Sequence, residues 1–240
     1  MSGPSADGAE VGQAPSVGVV VPAAGMARRM GGERKQFLNL AGEPILLRAI
    51  RPFLAHPGVR VVVVALPADQ VEQPPSWLTD RDDRIRVVEG GETRRDSVWA
   101  ALQALPPDLD VVVVHDGARP LVSPEVVARC IEVAAGGAGA VAGFPAVDTM
   151  KRVDESGSVA GTPERSSLWH AQTPQAFPGA QILEAYRRAL AEDWPATDDA
   201  ALVEKSGGTV VMVESSPTNL KITRQEDLEV AESVLARRVP

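Results

Sequence analysis

The chain has 240 residues, of which 44% are hydrophobic and 23% charged, and its formal net charge at pH 7 is −8. This composition is typical of a globular protein, and the length suits one α/β domain or at most two small ones. An acidic chain lacks the basic face that general nucleic-acid binding requires, although local cations can still attract an anionic substrate. The single cysteine, Cys130, excludes an intrachain disulfide and a thiolate metal cluster, and we expect it to be a buried, inert thiol.

Residues 1–16 have neither a basic segment nor an apolar one, so they do not predict a signal peptide. Their Gly, Pro, Ser and Ala content predicts a disordered tail. No apolar run approaches the ~20 residues that a membrane-spanning helix needs. We therefore expect a cytoplasmic protein with a single domain at 17–240.

After the tail, short Val-rich runs alternate with helical patterns. The expected strands are 17–21, 59–66, 85–88, 109–115, 138–144, 209–213 and 220–222. The expected helices are 44–55, 93–105, one that begins at Ser123-Pro124, 182–192, 197–206 and 224–238. Because the strands are continuous apolar runs rather than alternating ones, the pattern predicts an α/β fold with a doubly wound, mostly parallel sheet.

Residues 148–163 interrupt this pattern, since they are polar and rich in turn residues. The sequence around 155–157 predicts a hairpin. A segment with so little core is either a mobile loop or an arm that packs on a second subunit. We favour a protruding dimerisation arm at about 147–165.

The segment 22–35, PAAGMARRMGGERK, follows the first strand, and ligands of such sheets bind at the carboxyl ends of strands. Its small residues let backbone N–H groups approach a phosphate, Arg29 can form paired hydrogen bonds to phosphate oxygens, and Lys35 supplies a point charge. The spacings GxxxxGK[ST] and GxGxxG do not occur, which argues against a P-loop NTPase and an NAD-binding fold. Taken alone, the segment only suggests a phosphate site, and the alternative is a basic surface turn.

Two further segments follow strands at the same edge of the predicted sheet. In residues 90–97, Gly91 could admit a flat base and Ser97 could donate a hydrogen bond; the alternative is a glycine turn with Thr93 as N-cap. Asp116 ends the most hydrophobic strand, where a carboxylate suits Mg²⁺ whose other ligands are phosphates; the alternative is an Asp that caps a turn. We expect the three histidines to be packed and hydrogen-bonded rather than catalytic: His56, His115 and His170.

Eight sequence blocks occur in order after the tail: PAAGxxxRM, KQF, GGxxRxxSV, HDxARP, DTMKR, WHAQTPQ, TDDA and NxKIT. With these blocks the chain resembles the 2-C-methyl-D-erythritol 4-phosphate cytidylyltransferases of the non-mevalonate isoprenoid pathway. One block is weakly specific, whereas eight in order are highly specific. The resemblance implies a Rossmann-like nucleotidyltransferase fold, a homodimer built by the arm, and transfer of a cytidylyl group from CTP to 2-C-methyl-D-erythritol 4-phosphate with Mg²⁺ or another divalent cation.

The resemblance also implies roles for individual residues. The catalytic residues would be Arg29 and Lys35, which stabilise the transition state, and Arg165 and Lys221, which position the acceptor. CTP would be bound by Pro22, Ala23, Ala24, Gly25, Gly91, Ser97, Asp116 and Gly117. The acceptor would be bound by Thr149, Arg165, Thr173 and Lys221, and the metal by Asp116. Because Thr149 and Arg165 lie on or next to the arm, they are expected to complete the neighbouring subunit's site.

The chain departs from the family pattern at Ala27, where Gly is common, and at Gly117, where Ala is common; both exchanges keep the residue small. A ribitol 5-phosphate cytidylyltransferase shares the fold and the CTP site, and the acceptor pocket would distinguish it. A sugar-1-phosphate or molybdenum-cofactor nucleotidyltransferase would favour a GGxGxR loop, which PAAGMARRM is not. A non-catalytic nucleotide-binding protein should have lost the cations or the acid, and this chain keeps them.

Overall fold

The structure, a computed structural model, describes residues 14–25 and 35–238, with Lys35 described as backbone alone. Most of the predicted tail therefore lies outside the described residues. The strands are β1 (Val17–Pro22), β2 (Asn39–Leu40), β3 (Glu43–Pro44), β4 (Val59–Leu66), β5 (Ile85–Glu89), β6 (Val111–Val114), β7 (Gly139–Pro145), β8 (Arg152–Val153), β9 (Val159–Gly161), β10 (Trp169–Pro178) and β11 (Val210–Glu214). The helices are α1 (Ile45–Leu54), α2 (Ser76–Thr79), α3 (Arg94–Gln103), α4 (Pro124–Ala135), α5 (Gly179–Ala191), α6 (Asp199–Lys205) and α7 (Gln225–Arg238).

A sheet of seven strands runs through the described residues in the order β11-β7-β10-β6-β1-β4-β5. β1 is parallel to both β4 and β6, β5 is parallel to β4, and β11 is parallel to β7. Successive side chains of a strand point to opposite faces, so Val19 and Val21 join one core cluster and Val20 joins another. Since helices cover both faces, the predicted doubly wound α/β fold is confirmed.

Two predicted helix starts, those of α3 and α4, are confirmed by capping bonds. Ser123 caps α4, with its side chain accepting from Val126 N and Pro124 in the first turn. Thr93 caps α3 through a reciprocal bond with Asp96. Pro52 lies inside α1 without ending it, because Leu54 is still helical.

In the main sheet, one strand was missed and one strand prediction was wrong. The strand β10 was not predicted, because WHAQTPQAFP has no valine run; it is antiparallel to both β6 and β7, and those neighbours supply its backbone partners. The segment 220–222 is not a strand, since it pairs through one bond, from Ile222 N to Ala118 O at 2.8 Å.

The predicted hairpin forms from β8 and β9, with the Asp154 carboxylate accepting from Ser156 and Ser158 in the turn. Apolar side chains on and beside the hairpin are exposed: Val147 by 68%, Val153 by 55% and Val159 by 62%. Separately, none of the described helices is long and apolar enough to cross a membrane.

Candidate active site

The carboxyl ends of β1, β5 and β6 surround a cavity of about 580 Å³, here called the main cavity. All eight residues predicted to bind CTP line it. Its other lining residues are Gln36, Glu92, Thr93, Arg94, Ala118 and Lys221. The structure therefore brings together three segments that sequence reasoning placed at one sheet edge.

Two hydrogen bonds of the Ala23 backbone fix residues 23–25, the described start of the loop after β1. Ala23 N donates to Ala65 O at 2.8 Å, and the buried Gln36 side chain donates from Nε2 to Ala23 O at 2.6 Å. These bonds leave the small residues Ala24 and Gly25 at the cavity wall. Arg29 lies outside the described residues, as does the side chain of Lys35, so their predicted roles remain predictions.

The loop after β5 packs directly on the loop after β1. A Cβ atom at Gly90 would lie 2.3 Å from Ala24 Cβ, so only glycine allows this approach. Ser97 Oγ donates to Thr93 O at 2.9 Å, within the first turn of α3. The Ser97 hydroxyl hydrogen is therefore directed to the backbone, and its oxygen can accept from a ligand. Thr93 is also the N-cap that the alternative interpretation predicted.

Asp116 is the centre of a cation cluster. Its carboxylate lies 2.9 Å from Lys221 Nζ, 3.3 Å from Arg94 Nε and 3.5 Å from Arg119 Nε. Burial by itself would raise the pKa of Asp116, but the three positive charges and the Lys221 hydrogen bond hold it well below its ordinary value. Asp116 is therefore ionised at neutral pH, and its oxygens contact cations rather than capping the following turn.

The buried side chains of His115 and Thr173 fix the backbone position of Asp116. Burial lowers the pKa of His115 to about 4, so the ring is neutral at pH 7. Its Nε2 lies 3.1 Å from Arg119 O, which can only accept, so Nε2 carries the proton and Nδ1 accepts from Thr173 Oγ1 at 3.0 Å. Thr173 Oγ1 also accepts from Asp116 N at 3.0 Å. The expectation of a packed, hydrogen-bonded His115 is confirmed.

A second cavity of about 370 Å³, here called the side cavity, adjoins the main one. Both cavities share Arg94, Asp116 and Lys221. The side cavity also includes Arg119, Ala171, Gln172, Thr173, Gln175, Thr197 and Asp198. Because the Thr173 hydrogen is donated to His115, this side chain offers the side cavity an acceptor rather than a donor.

Thr149 and Arg165 line neither cavity of their own chain. Both are exposed, and Arg165 Nη1 donates to Val147 O at 2.7 Å, within the arm. These two predicted acceptor residues are thus separated from Lys221 and Thr173, with which they were grouped.

The residues present fit a divalent cation that takes most of its coordinating oxygens from a bound substrate. Among the described residues no group of three His, Cys, Asp or Glu side chains is arranged around a metal position. The ionised Asp116 carboxylate lines both cavities. One carboxylate together with phosphate and water oxygens is a common Mg²⁺ donor set.

Sequence reasoning missed Arg94 and Arg119 as site residues, although each lies inside a family block. In GGETRRDSV the adjacent arginines look equivalent, yet Arg94 lines both cavities while Arg95 Nη1 donates to Trp194 O at 2.8 Å. The signal was the block GGxxRxxSV, which contains Arg94 and not Arg95.

Comparison with known proteins gives agreeing results along nearly the whole chain. The model of the family described as 2-C-methyl-D-erythritol 4-phosphate cytidylyltransferase matches residues 17–237. A protein of that name from Symbiobacterium thermophilum is 44% identical over 220 residues, which are 91% of this chain and 92% of the relative. One from Prochlorococcus marinus is 41% identical over 222 residues, covering 92% of this chain and 98% of the relative.

Solved structures agree with this assignment. The 2-C-methyl-D-erythritol 4-phosphate cytidylyltransferase of Thermus thermophilus superposes with a TM-score of 0.77 at 36% identity, covering 92% of this chain and 99% of the other. The 4-diphosphocytidyl-2C-methyl-D-erythritol synthase of Anaerococcus prevotii gives 0.83 at 29% identity, covering 93% and 97%. Fold, cavity and matches together show that the chain is a nucleotidyltransferase that belongs to the 2-C-methyl-D-erythritol 4-phosphate cytidylyltransferase family.

Proposed function

We propose that the protein joins CTP and 2-C-methyl-D-erythritol 4-phosphate to give 4-diphosphocytidyl-2-C-methyl-D-erythritol and pyrophosphate, a step of non-mevalonate isoprenoid precursor biosynthesis. The supporting observation is that two adjoining cavities share Arg94, Asp116 and Lys221. A nucleotide in one cavity and a phosphorylated polyol in the other would meet at these charges.

The main cavity suits the nucleotide. Its wall contains Ala24, Gly25 and Gly91, which leave backbone close to a ligand. Ser97 Oγ can accept there from a base or sugar group, since its hydrogen is bound to Thr93 O. Its volume of about 580 Å³ lies in the range of small-molecule sites.

The side cavity suits the acceptor. Lys221 and Arg119 would bind its phosphate, and Thr173 would accept a hydrogen bond from a hydroxyl group. The polar side chains Gln172 and Gln175 complete a wall for a small polyol.

The reaction is an in-line displacement at phosphorus. A phosphate oxygen of the acceptor forms a bond to the α-phosphorus of CTP, and the bond to the bridging oxygen of pyrophosphate breaks. Because the nucleophile is already an anion, no general base is needed, and the neutral His115 has both ring nitrogens in hydrogen bonds. The barrier is repulsion between anions, so Lys221 and Arg94, with Arg29 and Lys35 from the loop after β1, act by positioning and charge stabilisation.

Asp116 would hold Mg²⁺ together with phosphate oxygens of the substrates. When bound, the ion would offset negative charge on the phosphates. The ionised state of Asp116 and its position on the wall of both cavities support this role.

We further propose a homodimer through the arm at about 147–165, with one domain at 17–240 in each subunit. The exposed Val147, Val153 and Val159 support the interface, because apolar side chains grouped on one exposed segment mark protein–protein contacts. Thr149 and Arg165 would then complete the partner's acceptor site. Since CTP is an intracellular metabolite, the reaction implies a cytoplasmic enzyme. Because the chain is acidic, we propose no nucleic-acid partner.

A pyrophosphate-release assay tests this function by crossing the four nucleoside triphosphates with 2-C-methyl-D-erythritol 4-phosphate and ribitol 5-phosphate. We expect turnover with CTP and the methylerythritol phosphate. Faster turnover with ribitol 5-phosphate would reassign the acceptor. CTP binding without turnover on either polyol phosphate would instead indicate a non-catalytic nucleotide-binding protein.

A further inference from the structure

The Arg94 side chain lies at the boundary of the two cavities, yet its orientation is set from outside them. Its Nε lies 3.3 Å from Asp116 Oδ1. Its terminal nitrogens donate instead to Asp199, Nη1 to Oδ1 at 3.0 Å and Nη2 to Oδ2 at 2.7 Å. Asp199 is fully buried and belongs to neither cavity wall.

Asp199 is itself held by Tyr186, whose hydroxyl donates to Asp199 Oδ1 at 2.5 Å. Burial and the neighbouring carboxylate raise the pKa of Tyr186 well above its ordinary value, so the phenol keeps its proton at neutral pH. The Tyr186 ring lies parallel to Trp99, with centroids 6.3 Å apart. Arg94 and Trp99 belong to α3, Tyr186 to α5 and Asp199 to α6, so the packing of three helices determines the geometry.

This arrangement divides the donors of Arg94. A guanidinium has five N–H groups, and these contacts use three, which leaves one on each terminal nitrogen for a ligand. Without Asp199, both terminal nitrogens could turn onto Asp116, the other carboxylate in contact with Arg94. A bidentate pair there would direct the guanidinium towards Asp116 instead of the substrate phosphates.

We propose that Asp199 and Tyr186 are positioning residues that hold Arg94 at the cavity boundary, with its remaining N–H groups towards the substrate phosphates and only its Nε in contact with Asp116. The inference rests on the proposed function, because it assigns phosphate as the ligand of Arg94. It adds two residues that act on the site without contacting a substrate.

A double-mutant cycle tests the inference. Asp199→Asn should lower kcat/KM by about 10-fold or more, partly through KM and partly through kcat, because Arg94 contacts phosphate in the ground state and acts on charge that builds up in the transition state. Arg94→Met should lower it by on the order of 10²-fold. In the Arg94→Met background, Asp199→Asn should change it less than about twofold, because its effect passes through Arg94. The matched control is Arg95→Met, which removes the neighbouring arginine that bonds to Trp194 O and should leave kcat near that of the unmodified enzyme.

Equal losses from Asp199→Asn in both backgrounds would overturn the inference, as would a folded Asp199→Asn protein with unchanged kcat. If Asp199→Asn fails to fold, Tyr186→Phe keeps the ring and removes only its hydrogen bond. A folded Tyr186→Phe protein should lose kcat several-fold, with that loss absent in the Arg94→Met background; unchanged kcat would again contradict the proposal.

A second double-mutant cycle uses the same variants and compares dissociation constants for a nucleoside triphosphate. Titration calorimetry measures these constants, and the probe is the nucleoside triphosphate that the unmodified protein binds most tightly. Asp199→Asn should weaken binding several-fold, and only when Arg94 is present. If the unmodified chain binds nucleotide but releases no pyrophosphate, the proposed function fails. The calorimetric cycle then still decides whether Asp199 acts through Arg94.

Discussion

Lys221 Nζ lies 2.9 Å from Asp116 Oδ2, although Asp116 follows β6 and Lys221 precedes α7. Two hydrogen bonds between neighbouring residues of the same two segments support this contact. Ile222 N donates to Ala118 O at 2.8 Å, and Arg119 Nη1 donates to Asn219 O at 2.9 Å. The NLKIT segment is thus attached to the HDGARP loop by one backbone hydrogen bond and one from the Arg119 side chain. This attachment places a positive charge where the two cavities meet.

Lys221→Met should lower kcat/KM by on the order of 10²-fold, because a preorganised positive charge at the reacting phosphates is lost. The protein should remain folded, since the Lys221 side chain is 37% exposed. Pyrophosphate release and circular dichroism measure the two effects. Lys205→Met is the matched control, because Lys205 lies over the Trp194 ring at 4.5 Å and lines neither cavity. Equal activity of both variants would contradict the role of Lys221.

Asp116→Asn should lower the free energy of unfolding at neutral pH and change how that free energy depends on pH. The folded pKa of Asp116 is held well below its unfolded value of 3.8, so its stabilising contribution is present above that pH and is lost as pH falls below it. The difference in unfolding free energy between Asp116→Asn and the unmodified protein should therefore be constant from about pH 7 to 5 and shrink below about pH 4. Urea titrations at each pH measure it. A difference that grew on acidification would contradict the assignment.

Gly90→Ala should weaken CTP binding by about 10-fold or more, since an extra methyl group in a tight contact shifts the backbone that lines the main cavity. The added Cβ would lie 2.3 Å from Ala24 Cβ and would push the two loops apart. The double variant Ala24→Gly/Gly90→Ala removes that atom and should recover part of the affinity. Calorimetry with CTP gives both values, and lack of any recovery would show that the contact with Ala24 is not the cause.

Val153→Asp/Val159→Asp should convert the proposed dimer to a monomer, because two charges would enter an apolar interface. These residues face each other across the hairpin and are 55% and 62% exposed. Turnover should fall about 10-fold or more as Arg165 leaves the partner's site. Sedimentation measures the mass, with Val230→Asp on α7, 51% exposed, as the control. A variant that stays dimeric and fully active would exclude the arm as the interface.

Cys130 should not react with a thiol reagent in the folded protein. Burial raises the pKa of Cys130 to about 12, and the side chain is fully buried. Its thiolate fraction near pH 8 should be on the order of 10³-fold below that of an unfolded chain. Comparing modification rates in native buffer and in denaturant checks this. Similar rates in both would mean that the helix α4 opens readily.

Much of the site was predictable from the sequence because each segment has a local signal. A valine run predicts a buried strand, and small or charged residues after it predict a ligand loop. Pro22, Gly91 and Asp116 were placed at one sheet edge on that basis, and they line the same cavity. The strand β10 carries no such signal, because its backbone partners in β6 and β7 come from tertiary pairing.

Side-chain direction and long-range pairing were decided by the tertiary structure alone. The sequence by itself determined the α/β alternation, the segments that line the candidate site, and the family. Apart from the family block, it could not distinguish Arg94 from Arg95, because the direction of the Arg94 side chain depends on Asp199 and Tyr186 in helices distant along the chain. Nor could it place the hydrogen of Thr173, which the buried His115 accepts. Local patterns report burial and turn geometry, whereas hydrogen-bond partners are chosen only when the helices and strands pack together.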